Sequence, residues 1–234
     1  MIARARVVLA TRNPGKAREI RAVYAHLDAE FLTLDAWPEI GDLTEGGTTY
    51  ADNAASKARA AAAATGCVAL ADDSGIEIDA LGGAPGALSR RFLGEGASDD
   101  DRNARVLELL RKVPDGRRTA RYRAAVAVAR PDGIVTVADG ICEGAVARAP
   151  RGRGGFGYDP LFIATPDGRT MAELPADEKN RISHRGRALR AAESALRAAL
   201  SAQREEPRAL DANTGGGPGR AGRPAGGPRL RGSS

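Results

Sequence analysis

The stretch Cys67-Val68-Ala69-Leu70-Ala71-Asp72-Asp73-Ser74-Gly75-Ile76-Glu77-Ile78-Asp79, followed by the loop Gly82-Gly83-Ala84-Pro85-Gly86, decides how this 234-residue chain is read. An apolar run breaks into two acids, a Ser and a Gly, and an alternation of apolar and charged residues follows. That order predicts a strand, a tight turn and a second strand. Adjacent carboxylates at the mouth of a buried strand repel each other and are costly to desolvate, so they point to a held cation or to open solvent. Asp, Ser and Gly are also ordinary turn formers, and a plain hairpin turn is the simpler reading of the same residues.

Upstream, Val7-Val8-Leu9-Ala10 predicts a short buried strand and Thr11-Arg12-Asn13-Pro14-Gly15-Lys16 the turn after it. A helix follows, with Asn13 as N-cap, Pro14 at the first helical position and Ile20, Val23, Tyr24 and Leu27 on one face. Such a junction turns a helix N-terminus outward beside Lys16, which suits phosphate. It is not a Walker-type loop, because the earlier Gly is missing and Ala17 follows Lys16. Phe31 to Leu34 predicts a second strand, and Asp35 to Gly47 an acidic loop holding Glu39, Asp42 and Glu45. The next helix starts at Thr49, where Thr49-x-x-Asp52 resembles a capping box, and runs to about Ala64. One stripe of it carries Tyr50, Asn53 and Lys57, and Ala54, Ala58 and Ala61 can face a sheet.

Downstream, Ser98 predicts a helix cap, with Asp99-Asp100-Asp101 complementing the dipole and Val106, Leu109, Leu110 and Val113 buried. Ala120 to Ala129 and Ile134 to Val146 read as a hairpin around Pro131-Asp132-Gly133, so a mixed sheet is expected. In Gly154-Gly155-Phe156-Gly157-Tyr158-Asp159-Pro160 the glycines allow close backbone approach to a ligand, and exposed Phe156 and Tyr158 offer flat faces to a base. Lys179-Asn180-Arg181-Ile182-Ser183-His184-Arg185 leads into a last helix with Leu189, Ala192, Leu196 and Leu200 inward. His184 and Arg185 in its first turn oppose the dipole, which suggests an anionic or carbonyl-bearing partner.

Composition narrows the function. The chain carries a net charge of +5, but from Arg204 onward six Arg face three acids, so the body is nearly neutral and charge gives no polyanion-binding surface there. Of 35 basic residues only Lys16, Lys57, Lys112 and Lys179 are Lys. Where Arg is the default cation, a retained Lys suggests a compact point charge on phosphate. Cys67 and Cys142 lack metal-ligand spacing and read as buried free thiols of a reducing compartment. With no signal-peptide core and no membrane-spanning run, a cytoplasmic protein is expected. Residues 1–202 form the expected domain, and the Gly/Pro/Arg-rich stretch 203–234 an expected disordered tail.

Five ordered blocks resemble the inosine triphosphate pyrophosphatase family, also called Ham1-like: Thr11 to Lys16, Glu45 through Lys57, Ala71 to Gly75 with Gly82 to Gly86, Gly155 to Pro160, and Ser183-His184-Arg185-Gly186. The resemblance implies an α/β fold with an elongated mixed sheet flanked by helices, two lobes around a substrate cleft, and a homodimer. It implies hydrolysis of ITP, dITP and XTP to the monophosphate and pyrophosphate with Mg²⁺. By position it makes Glu45 and Asp73 the metal ligands, with Asp73 also activating water. Thr11, Asn13, Lys16 and Lys57 are the expected triphosphate contacts, and Arg12, Pro14 and Gly15 of the same turn are expected to bind substrate. Ser74, Phe156, Gly157, Tyr158, Asp159, Lys179, His184 and Arg185 are the expected nucleoside pocket. Arg12 stands where Gly is frequent and Asp52 where Glu is frequent, so Asp52 is left out of the metal's ligands. Two alternatives stay open: a related pyrophosphatase with pyrimidine preference, and a non-catalytic nucleotide- or RNA-binding module using the Phe156 loop and the basic tail. Neither a membrane nor a stable nucleic-acid partner is expected.

Overall fold

A computed structural model describes residues 4–41, 43, 47–94 and 96–205. Six strands form one sheet in the order β2 (Ala29–Thr33), β1 (Ala5–Leu9), β3 (Val68–Ile78), β4 (Thr119–Ala129), β5 (Val135–Val146) and β6 (Phe162–Ile163). β2, β1 and β3 are parallel, and β3 through β6 pair antiparallel. The helices are α1 (Pro14–Val23), α2 (Tyr50–Thr65), α3 (Asp99–Leu109), α4 (Ala176–Ile182) and α5 (His184–Glu205). None is long and apolar enough to cross a membrane among the described residues.

The predicted turn at Asp72-Asp73-Ser74-Gly75 is not there. β3 runs unbroken through it, paired residue by residue with β4 from Ala69↔Ala129 to Ile78↔Ala120. A continuous ladder satisfies every backbone group on that side, and this outweighs the turn tendency of the side chains. The consequence lies in the pleat, which sends neighbouring residues to opposite faces of the sheet. Val68, Leu70, Asp72, Ser74, Ile76 and Ile78 lie on one face, and Ala69, Ala71, Asp73, Gly75 and Glu77 on the other.

The first face carries two cores. Val68 and Leu70 pack with Ile20 and Tyr24 beside α1 and with Leu189, Ala192 and Leu196 of α5, while Ile76 and Ile78 pack with Val106, Leu110, Tyr122 and Phe162. Each fully buried Leu or Ile contributes about 1.5–3 kcal/mol. Asp72 and Ser74 sit where one core gives way to the other. On the opposite face Ala54, Ala58, Ala61 and Ala62 of α2 pack on Ala69, Ala71, Ala125 and Ala127. Methyl against methyl lets α2 lie close to the sheet, and this brings Asn53 and Lys57 to β3.

The predicted caps form. Thr49 and Ser98 accept from the backbone at N3 of their helices, and Ser98 completes a capping box with Asp101. The last helix begins at His184 and continues to Glu205, past the Gln203 where the tail was expected to start. Residues 206–234 lie outside the described residues. Both Cys are free, with Cys142 buried and Cys67 only half-buried, contrary to the expectation of two buried thiols.

Candidate active site

The site is built on a difference in strand length. β1 stops at Leu9, where Ala10 N donates to Leu70 O at 2.8 Å, and on that side β3 runs on without a strand beside it until the segment around Pro85 bridges to Glu77. The carbonyl of Asp72 therefore faces a gap in the sheet. Two ammonium groups converge on it, Lys16 Nζ from α1 at 3.2 Å and Lys57 Nζ from α2 at 3.4 Å. Two of the four Lys thus meet beyond the carboxyl end of β1, where parallel sheets place their ligands.

The turn before α1 is held by its own side chains. Asn13 Oδ1 accepts from Gly15 N at 2.8 Å and Lys16 N at 3.2 Å, and Thr11 Oγ1 accepts from Asn13 N at 3.1 Å. The amides expected to point outward are thus capped, and Lys16 supplies the charge. Pro14 opens the helix as expected. Arg12 reaches instead to the loop after β2, donating to the Ile40 carbonyl at 2.5 Å.

The pleat divides the two acids. Asp73 meets α2, its Oδ1 accepting from Lys57 Nζ at 3.2 Å and its Oδ2 from Asn53 Nδ2 at 3.1 Å. Asp72 meets α5, accepting from Arg185 Nε at 2.9 and 3.2 Å, with Lys16 Nζ 3.4 Å away. Burial works to raise the Asp72 pKa, but Arg185 and Lys16 overcome it and hold the carboxyl well below its usual range. Burial lowers the Lys16 pKa, with Asp72 opposing and Arg185 and Lys57 adding to the shift.

Beyond Asp72 lies a buried ionic cluster. Arg185 Nη2 donates to Ser74 Oγ at 2.9 Å and Nη1 to Glu19 Oε2 at 2.6 Å. Lys179 Nζ donates to Glu19 Oε1 at 2.7 Å and Asp159 Oδ2 at 2.5 Å. The Phe156 ring lies under both cations, 5.1 Å from Lys179 Nζ and 5.3 Å from Arg185 Cζ, a cation–π arrangement. The same ring covers Gly15, where an added Cβ would lie 2.6 Å from it, so Gly there lets the loop and the α1 turn touch. His184 stacks on Tyr122 with centroids 4.4 Å apart, and its Nδ1 is buried without a partner among the described residues. Burial and the neighbouring Arg185 push the His184 pKa well below its ordinary value, so the ring is neutral. Burial raises the Asp159 pKa against the pull of Lys179.

The sequence profile of the Ham1 family matches residues 7–195. This chain belongs to the Ham1 family. It is 48% identical over 187 residues to a dITP/XTP pyrophosphatase of Desulforamulus reducens, covering 80% of this chain and 93% of that protein. It is 49% identical over 184 residues to one of Geobacter sulfurreducens, covering 79% and 92%. Among solved structures, a HAM1 protein from Coxiella burnetii superimposes with a TM-score of 0.74 at 41% identity, over 83% of this chain and all of that one. A structure titled nucleoside-triphosphatase / dITP/XTP pyrophosphatase from Mycobacterium abscessus gives 0.64 at 41% identity, covering 80% and 97%.

In this Ham1 chain the structure gathers Lys16, Lys57, Asp73, Ser74, Phe156, Asp159, Lys179, His184 and Arg185 around the middle of β3. Gly157 is part of the same loop, but its peptide is turned toward α3. Tyr158 is not an exposed platform: its ring is buried in the second core and its hydroxyl donates to Ser89 O at 2.9 Å. Glu45 lies outside the described residues, and no group of three or more acidic, His or Cys side chains is placed to hold a metal among those described. The Asp73 side offers a carboxylate, hard oxygen chemistry that suits Mg²⁺ shared with substrate phosphates more than a protein-only cage, while the Asn53 amide gives its NH2 to that carboxylate and its oxygen to the Gly47 N–H. Sequence reasoning missed Glu19. Three positions after Lys16 on α1 it looks like half of a solvated helix pair, and only its contacts to Lys179 and Arg185, some 160 residues away, show its place.

Proposed function

We propose that this chain hydrolyses dITP, XTP and ITP to the nucleoside monophosphate and pyrophosphate, on the pattern of its relatives. The observation that carries this is the pair Lys16 and Lys57 converging on the Asp72 carbonyl, with Asp73 beside them and the Phe156 cluster on the far face of the same strand. Two ammonium groups at one gap suit a triphosphate, and the carboxylate next to them suits a group that orients water.

Water attacks the α-phosphorus. Its oxygen stays with the monophosphate, the bridging oxygen leaves with pyrophosphate, and the water proton passes to Asp73. Lys57 and Asn53 hold the Asp73 carboxylate in place for this transfer. Lys16 and Lys57 offset the charge that builds on the leaving pyrophosphate. Asp73, with Glu45 as the expected second carboxylate, would hold Mg²⁺, which when bound neutralises phosphate oxygens and polarises the phosphorus.

Base selection follows from a donor inventory. Arg185 has five N–H groups and gives one each to Asp72, Glu19 and Ser74, and Lys179 has three and gives one each to Glu19 and Asp159. The donors left over favour the 6-oxygen of hypoxanthine and xanthine and meet the amino group of adenine donor to donor. Each such mismatch costs about 1–3 kcal/mol.

The test is pyrophosphate release from dITP, XTP, ITP, ATP, GTP, CTP and UTP, with Mg²⁺ and with a chelator. Metal-dependent release led by dITP, XTP and ITP is expected. Release from pyrimidine nucleotides in preference would contradict the base assignment, and equal release under chelation would contradict the metal.

A further inference from the structure

The nucleotide reading leaves α3 without a part, yet its first two turns grip the Phe156 loop. Gly157 adopts φ 64°, and α3 takes both of its backbone polar groups. The Gly157 N–H donates to Asp99 Oδ2 at 2.6 Å, and its carbonyl accepts from Asn103 Nδ2 at 3.0 Å. Asp99 and Asn103 are four residues apart, so they stand one above the other on one helix face. The second Asp99 oxygen is fixed by Arg102 Nη2 at 2.8 Å, and Arg102 Nη1 ties the same corner to the carbonyls of Arg90 and Ala97.

Two features show that this contact does more than fill space. Asn103 is 2% exposed and its Oδ1 has no partner among the described residues, so an amide is buried for the sake of the one bond to Gly157. The gripped peptide also directly follows Phe156, in a stretch where Gly152, Gly154, Gly155 and Gly157 leave the backbone little stiffness of its own. The clamp adds to the bonds from the Phe156 N–H to Asp159 Oδ2 at 2.8 Å and from the Gly154 N–H to the Ala172 carbonyl at 2.9 Å, and any ordering it no longer supplies would have to come from the nucleotide, at a cost in affinity.

We propose that Asp99 and Asn103 are positioning residues that hold the Phe156 ring in its base-binding place before the nucleotide arrives. The proposal rests on the Phe156 loop being the base side of the site. It separates the two halves of the ligand: the clamp governs binding of the base and leaves the triphosphate gap alone.

The experiment compares wild type, Asp99→Ala, Asp99→Asn and Asn103→Ala. It reads dITP kinetics, calorimetric affinity for IMP and affinity for inorganic tripolyphosphate, which has no base. For Asp99→Ala, loss of a charge-assisted hydrogen bond raises KM for dITP and weakens IMP about tenfold with kcat kept within about twofold. Asp99→Asn keeps an acceptor oxygen and recovers most of the affinity, and tripolyphosphate affinity is the same in all four. The Asp99 side chain is half exposed, so its variants carry the test if Asn103→Ala does not fold. Unchanged KM and IMP affinity, or equal weakening of tripolyphosphate, would overturn the clamp. Absence of turnover in wild type would instead refute the pyrophosphatase reading, and IMP affinity would still judge the clamp.

Discussion

At the scale of single residues, the pleat gives Asp72 and Asp73 separate work although they are adjacent. Asp73→Asn keeps the shape and the contacts to Asn53 while removing the proton acceptor. Turnover is expected to fall by about a hundredfold or more; stopped-flow phosphate release coupled to a pyrophosphatase measures it, and near-native turnover would remove Asp73 from the role. Lys16 gives a pH signature. Burial lowers its pKa from 10.5, so kcat/KM should fall on the alkaline side before that value is reached. Lys16→Arg, which does not deprotonate in this range, should push that limb upward. An unmoved limb would show that another group sets it. The residue types at these positions were legible in the sequence, because Lys is scarce in an Arg-rich chain. Glu19 was not, because its meaning depends on partners far along the chain.

At the scale of elements, α5 is seated by a glycine. A Cβ at Gly140 on β5 would collide with the His184 carbonyl and the Ala188 amide, so the first turn of α5 rests directly on the sheet. Gly140→Ala should lift that turn, carrying His184 and Arg185 with it. It should cost about 1–3 kcal/mol of stability, and it should narrow the preference for dITP over dATP. Stability loss with an unchanged preference would place base selection elsewhere. The helices and hairpin were legible in the sequence, since caps, apolar periodicity and the Pro-Asp-Gly turn are local signals. β3 was misread as two strands because Asp-Asp-Ser-Gly is locally a turn, and only the pairing with β4, about fifty residues later, overrides it. Tyr158 was misplaced for the same reason: nothing local tells a ring that caps a core from one that waits for a ligand.

At the scale of the molecule, function is set between two cores joined by long strands, and the ionic cluster at that seam makes stability depend on pH. His184 has its native pKa well below the unfolded value of 6.5, so below pH 6.5 the unfolded chain takes up a proton that the native state refuses. Its contribution is present above 6.5 and is lost as pH falls, at up to about 1.4 kcal/mol per pH unit. Denaturant unfolding between pH 7 and 5 should show this slope in wild type and lose it in His184→Asn; equal slopes would mean that the ring is not held neutral. Asp72 acts in the same direction below its unfolded value of 3.8, while Asp159, whose pKa is raised, acts against it. The central claim is that one strand places the water-activating carboxylate on its Asp73 face and base recognition on its Asp72 face, with the phosphate lysines Lys16 and Lys57 meeting at the strand edge between them. The most direct test is kcat/KM for dITP and for dATP in wild type, Asp73→Asn and Arg185→Ala. Asp73→Asn should depress both nucleotides and keep their ratio, whereas Arg185→Ala should narrow the ratio. A changed ratio in Asp73→Asn, or an unchanged one in Arg185→Ala, would contradict the division.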